Sequence, residues 1–155
     1  MIFMIVFYRL LGVVASAALA IYTILTVFIL GVCGVNLTLP GIAGIVLSLG
    51  MAVDANVIIF ERIKEEMKNG KTLRASVDAG FHRAVTAIVD ANVTTIISAV
   101  VLWILGSGTV KGFAITLFIG VVVSMFTAVF VTKFLLNILI DFNVKNRKLY
   151  VGGVK

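Results

Sequence analysis

From Leu10 to Val53 the chain runs for 44 consecutive residues without an Asp, Glu, Lys or Arg. Two more uncharged runs follow, 20 residues from Ala91 to Val110 and 21 from Gly112 to Thr132. About 20 apolar residues in a helix cross the hydrocarbon core of a bilayer, so the first run holds two spans and each of the others holds one. Charged residues make up only 13% of the chain, about half of what a soluble domain carries. That excludes a soluble enzyme, a disordered tail and a free nucleic-acid-binding module. The expected fold class is all-α, a polytopic transmembrane helix bundle. In such a protein the net charge of +6 reports orientation first, not nucleic acid.

Met1 to Phe7 is apolar but stops at Tyr8-Arg9, which gives a helix of about 10 Å, too short to span. No signal-peptide pattern is present, because the basic flank follows the apolar stretch. Residues 1–8 therefore read as the end of a truncated transmembrane helix. A four-helix transmembrane domain is expected over 11–140, with helices near 11–32, 40–60, 84–105 and 112–140. Pro40 suits a first helical turn. The charged stretch 61–83 is expected to be an amphipathic loop. In it Asn69-Gly70 reads as a helix stop, and Thr72 as the N-cap of a separate helix lying along the membrane surface, with Leu73, Val77 and Phe81 on one face. Residues 141–155 read as a basic tail.

Alternate loops on opposite sides put twelve of the thirteen basic residues on one face, with Lys111 opposite. The positive-inside rule makes that face cytoplasmic, the C-terminus included. Trp103 suits the outer aromatic belt. The single cysteine, Cys33, has no partner for an internal disulfide.

Lipid supplies no hydrophobic drive for helix association, so close approach depends on small residues. Rows at i+4 spacing run through Gly12, Ser16 and Ala20, then Gly44, Ser48 and Ala52. The longest is Gly112, Thr116, Gly120, Ser124, Ala128 and Thr132. Such rows form oblique ridges that favour close crossings.

Val53-Asp54-Ala55-Asn56-Val57 recurs as Val89-Asp90-Ala91-Asn92-Val93, offset by 36 residues, on helices expected to be antiparallel. Asp and Asn two positions apart lie about 160° apart around a helix, so one copy does not present both to one ligand. Asp54 shares a face with Ala43, Gly50 and Glu61, whereas Asn56 continues the row from Gly44. Thr86, Asp90, Thr94 and Ser98 form a polar row suited to orienting Asp90 or carrying water. An intramembrane carboxyl marks an ion or proton path by default, because burial disfavours its charged form. The expected proton pathway is Asp54, Asp90, Asn56, Asn92 and Thr94. A structural alternative holds either Asp as a polar contact between helices. His82 reads as interfacial, and Tyr22 and Thr23 as packing. No metal spacing, phosphate loop or nucleophile constellation occurs, so no cofactor, metal or enzymatic activity is expected.

Residues 39–47, 51–57, 60–66, 111–116 and 124–128, with the Pro40-Gly41 turn, the Val53 to Val57 segment and Lys111-Gly112-Phe113 among them, resemble the SecD family of protein-export subunits. That family belongs to the resistance-nodulation-division superfamily. The likeness extends to Leu136. It implies half of a resistance-nodulation-division-like membrane core in a bacterial cytoplasmic membrane, working in the lipid bilayer with SecF and the SecYEG channel. It also implies use of the proton gradient for preprotein export, with Asp54 on the proton path. SecD proteins also carry a first membrane helix and a large extracytoplasmic domain that contacts preprotein. This chain matches the C-terminal membrane part only. The alternatives are a membrane anchor or scaffold without proton conduction, and a small-molecule exporter of the same superfamily.

Overall fold

The computed structural model describes residues 10–141, and the expectations for residues 1–8 and the basic tail lie outside the described residues. Helix α1 covers Leu10–Val32, α2 Leu39–Lys68 and α3 Leu73–Leu105. Helix α4 covers Thr109–Phe126 and passes through a π-helical segment, Thr127–Val131, into α5, Thr132–Asp141. Among the described residues, four stretches are long and apolar enough to cross a membrane: α1, α2, α3 and the run from α4 into α5.

Local chemistry explains the helix starts and stops. Thr38 caps α2 by accepting from the Gly41 amide at 3.2 Å, with Pro40 in the first turn. Asn69 closes α2, its amide donating to the Glu65 carbonyl at 3.1 Å. Gly70 then turns the chain with φ 84°, a conformation that favours glycine. Thr72 caps α3 by accepting from the Ala75 amide.

The expected separate surface helix after Thr72 is corrected by the structure: it is the first part of α3, which runs unbroken for 33 residues. No proline or cap interrupts the chain between Leu73 and Leu105, so the helix continues from charged into apolar sequence. Helices of 30 and 33 residues measure about 45 and 50 Å, against about 30 Å of hydrocarbon. The ends of α2 and α3 that meet at Gly70 therefore project from the membrane as a helical hairpin. Leu73, Val77 and Phe81 face α2 instead of a lipid surface, and Val77 and Phe81 are buried in a core with Ile59, Phe60, Ile63 and Met67.

This core continues into the membrane through Ala84, Ile88, Ala55 and Ala128, closed by Leu11 and Ala15 of α1 and Leu136 of α5. Gly80 lets the hairpin close tightly: a Cβ there would lie 2.7 Å from the Ile63 Cα and N.

Candidate functional site

Small residues bring α2 and α4 together. A Cβ on Gly44 would come within 2.5 Å of Thr116 Oγ1, and one on Gly120 would overlap Ser48 Oγ. Ser48, Ala52, Thr116, Gly120, Ser124 and Ala128 are buried, while Gly112 at the rim faces Thr38. Tyr22 joins α1 to this crossing through a 2.8 Å hydrogen bond with Ser48 Oγ. The Ser48 hydroxyl itself donates to the Ile45 carbonyl, so the Tyr22 hydroxyl is the donor. The expected row in α1 is corrected at Ala20, which is exposed; the packed face is mainly Leu11, Ala15, Ala18, Leu19 and Tyr22. Of the row, Gly12 stays buried and Ser16 half-buried at the edge of this face, and Ala20 alone turns outward.

Around this scaffold the two copies of the pentapeptide lie on antiparallel helices and use their polar residues differently. Asp54 from α2 and Asn92 from α3 line one cleft, together with Met51, Ala55, Ile58, Ile88, Ala91 and Thr95. Its volume of about 80 Å³ is room for more than one water molecule. Asp54 is exposed at the mouth, and among the described residues none donates a hydrogen bond to its carboxyl. Ala43, Gly50 and Glu61, on the same face of α2, are exposed as well. The face that carries Asp54 is thus left uncovered by the described residues.

Asn92 is buried, and its Nδ2 donates to the Ile88 carbonyl of its own helix at 2.7 Å. Thr95 Oγ1 donates to the Ala91 carbonyl at 3.3 Å. One copy therefore supplies the acid and the other supplies the amide, which resolves the 160° separation within either copy.

The remaining Asp and Asn point elsewhere. Asn56 is buried between α2 and α5: its Nδ2 donates to the Ala52 carbonyl at 3.0 Å, and its Oδ1 accepts from Thr132 Oγ1 at 2.9 Å. Asp90 is exposed on the outer face of α3. The expectation that the polar row orients Asp90 is corrected, because its hydroxyls engage the main chain. Thr94 Oγ1 donates to the Asp90 backbone carbonyl at 3.3 Å, and Ser98 Oγ to that of Thr94 at 3.0 Å. A helical hydroxyl with a carbonyl four residues earlier in reach takes that bond first.

Glu66, read from sequence as one of the loop charges, is a buried carboxylate at the projecting hairpin. It is 1% exposed and pairs with Lys71 across the turn and with Arg83 of α3 at 2.8 Å. The Lys71 hydrogen bond holds its carboxyl below the ordinary glutamate range; burial works the other way, and the positive charges of Arg83 and Lys71 add to the lowering. Helical phase was the signal for it: Ala52, Ala55, Ile59, Ile63 and Glu66 repeat at spacings of three and four along one buried face. The exposed pairs Arg62–Glu65 and Lys64–Glu61 add little, because water screens them. Among the described residues no three His, Cys, Asp or Glu side chains converge as a metal site requires.

Comparison with known proteins bears on this arrangement. The family described as "Protein export membrane protein SecD/SecF, C-terminal" matches residues 1–141. The protein translocase subunit SecD of Acidaminococcus fermentans is 56% identical over 152 residues, 98% of this chain and 36% of that protein. The SecD subunit of Pseudomonas aeruginosa is 50% identical over 138 residues, 89% of this chain and 22% of that protein. The crystal structure of SecDF from Thermus thermophilus, a translocon-associated membrane protein, superposes with a TM-score of 0.88 at 43% identity, covering 92% of this chain and 20% of that one. The chain thus spans about a third or less of the length of these relatives.

Proposed function

The chain belongs to the C-terminal SecD/SecF family of protein-export membrane proteins, and on that premise we propose that it is the membrane part of a SecD-type accessory subunit that couples the proton gradient to preprotein export. The observation that carries the reading is the cleft between the repeated segments, where Asp54 stands exposed beside Asn92 and Thr95 in otherwise apolar sequence. A carboxyl in that setting stays in a membrane helix only with a compensating role or partner. Asn92 offers a neutral amide that accommodates the carboxyl with or without its proton.

In this reading the hairpin end of α2 and α3 faces the cytoplasm, because the basic residues cluster there. The exposed face with Ala43, Gly50 and Asp54 receives a helix of SecF, which brings the facing cationic group. Contact with SecYEG and with preprotein belongs to the whole subunit and its extracytoplasmic domain. Each proton crossing supplies about 2.3 kcal/mol per 100 mV. Loss and gain of charge at Asp54 changes the attraction between α2 and SecF, and the smooth α2–α4 crossing lets the helices move in response.

The test is Asp54→Asn in the full-length subunit. The variant is expected to insert and assemble but to lose the gradient-driven part of preprotein transport in inverted membrane vesicles. Undiminished gradient-driven transport would leave a scaffold role and remove the proton role.

A further inference from the structure

The Asp54 cleft explains one polar residue from each copy of the pentapeptide, but leaves the buried link between Asn56 and Thr132 without a task. We propose that Thr132 is a positioning residue for Asp54, acting through Asn56, and that the π-helical segment before it exists to bring its hydroxyl there. The inference rests on the reading of Asp54 given above.

Thr132 is fully buried and Asn56 nearly so, at 0% and 4% exposure. Their 2.9 Å bond joins positions separated by 76 residues in sequence. The Asn56 amide is committed at both ends, to Ala52 of its own helix and to Thr132 of α5. Its side chain therefore reports and fixes the rotation of α2 about its axis. Asp54 lies two residues away on the nearly opposite side of that axis, so the same rotation sets where its carboxyl points within the cleft. Pinning Asn56 from behind aims Asp54 in front.

The π segment makes the bond possible. The Thr132 amide donates to the Thr127 carbonyl five residues back, and the Thr132 hydroxyl lies 3.3 Å from the same oxygen. Regular α-helical winding over Thr127–Val131 would turn Thr132 away from α2 by roughly a quarter turn. Single π turns inside long helices recur at functional sites, where they re-aim a side chain. Asn92, the equivalent of Asn56 in the second copy, keeps the bond to its own helix but lines the cleft. The brace is thus specific to the helix that carries Asp54.

The experiment compares Thr132→Ser, Thr132→Ala and Thr132→Val in the full-length subunit, assembled in inverted membrane vesicles with the rest of the translocase. Preprotein transport is measured with and without a proton gradient, at matched amounts of inserted protein. Ser and Ala differ by the hydroxyl alone, while Val keeps the original shape without it. Thr132→Ser is expected to retain the gradient-driven increment, and Thr132→Ala and Thr132→Val to lose about fivefold of it, the effect of one buried hydrogen bond. Transport without a gradient should be unchanged in all three. Equal behaviour of Ser and Ala, or an intact increment in both Ala and Val, overturns the inference. Asp54→Asn is run in parallel: if it abolishes the increment while Ala and Val do not, the positioning role alone fails. If Asp54→Asn leaves the increment intact, the reading of Asp54 fails and takes this one with it.

Discussion

Replacing Gly80 by Ala sets two known effects against each other. Gly80 lies inside α3 without a positive φ, so alanine fits its backbone conformation and should gain about 1 kcal/mol from helix propensity. Against that, the new Cβ would stand 2.7 Å from both Cα and N of Ile63 and 2.9 Å from the Arg62 carbonyl carbon. Carbon atoms pack best at about 3.5–4.0 Å, so α2 and α3 must separate by about 1 Å. The obstructing atoms are main chain, and no side chain can swing aside to relieve them. Separation opens the core between Ile63, Val77 and Phe81 and lengthens the pairing of Arg83 with Glu66. Overpacking of this kind costs about 1–3 kcal/mol; with main chain as the obstacle the upper end applies, so the contact term wins and a net loss of about 2 kcal/mol is expected. Gly50→Ala is the control, because Gly50 lies inside α2 with nothing within 4 Å of a new Cβ. It should stabilise by up to about 1 kcal/mol. Dodecyl sulfate titration of the purified protein, followed by helical circular dichroism, measures both. A Gly80→Ala protein as stable as the original, or shifts of the same sign for the two substitutions, would refute the reasoning.

Two further outcomes follow from named bonds. Tyr22→Phe removes the donor to Ser48 while keeping the ring, and should destabilise by about 0.6 kcal/mol, the average for such bonds between membrane helices; no change in the same titration would mean that Ser48 finds another partner. Glu66 has a folded-state pKa held below its unfolded value, so its contribution is complete above the ordinary glutamate range and is lost as pH falls through the lowered folded value. Proteolysis within the α2–α3 turn should accelerate on acidification over that window, and in Glu66→Gln that pH dependence should vanish.

The architecture was legible from charge and from caps because both act locally. Each uncharged run corresponds to one or two spans; Asn69-Gly70 and Thr72 mark helix ends through bonds to residues at most four positions away, and Pro40 marks one by lacking an N–H. The surface helix was misjudged because an amphipathic face has the same pattern whether lipid or another helix covers it. Val77 and Phe81 needed the opposing Ile59, Phe60 and Ile63 to settle which, and those lie across the turn. Glu66 was hidden for a related reason: a run of mixed charges ordinarily faces water, and only its phase with Ile59 and Ile63 sets it inward.

The repeated pentapeptide shows most clearly where sequence reasoning stops. Identity of the two copies invites equal roles for Asp54 and Asp90, yet the helices run antiparallel and pack on different neighbours. Asn56 meets Thr132 behind α2, whereas Asn92 turns into the cleft, so Asp54 gains a polar neighbour while Asp90 is left on the outer face. The bond on the α2 side comes from a helix with one extra residue in the turn before Thr132. Thr127 to Val131 carries no proline or glycine to announce it; the π turn forms where a buried amide on α2 can take up the Thr132 hydroxyl. Asymmetry between two identical segments is therefore set by the helices they touch, and the chemistry expected of each Asp has to be assigned from packing.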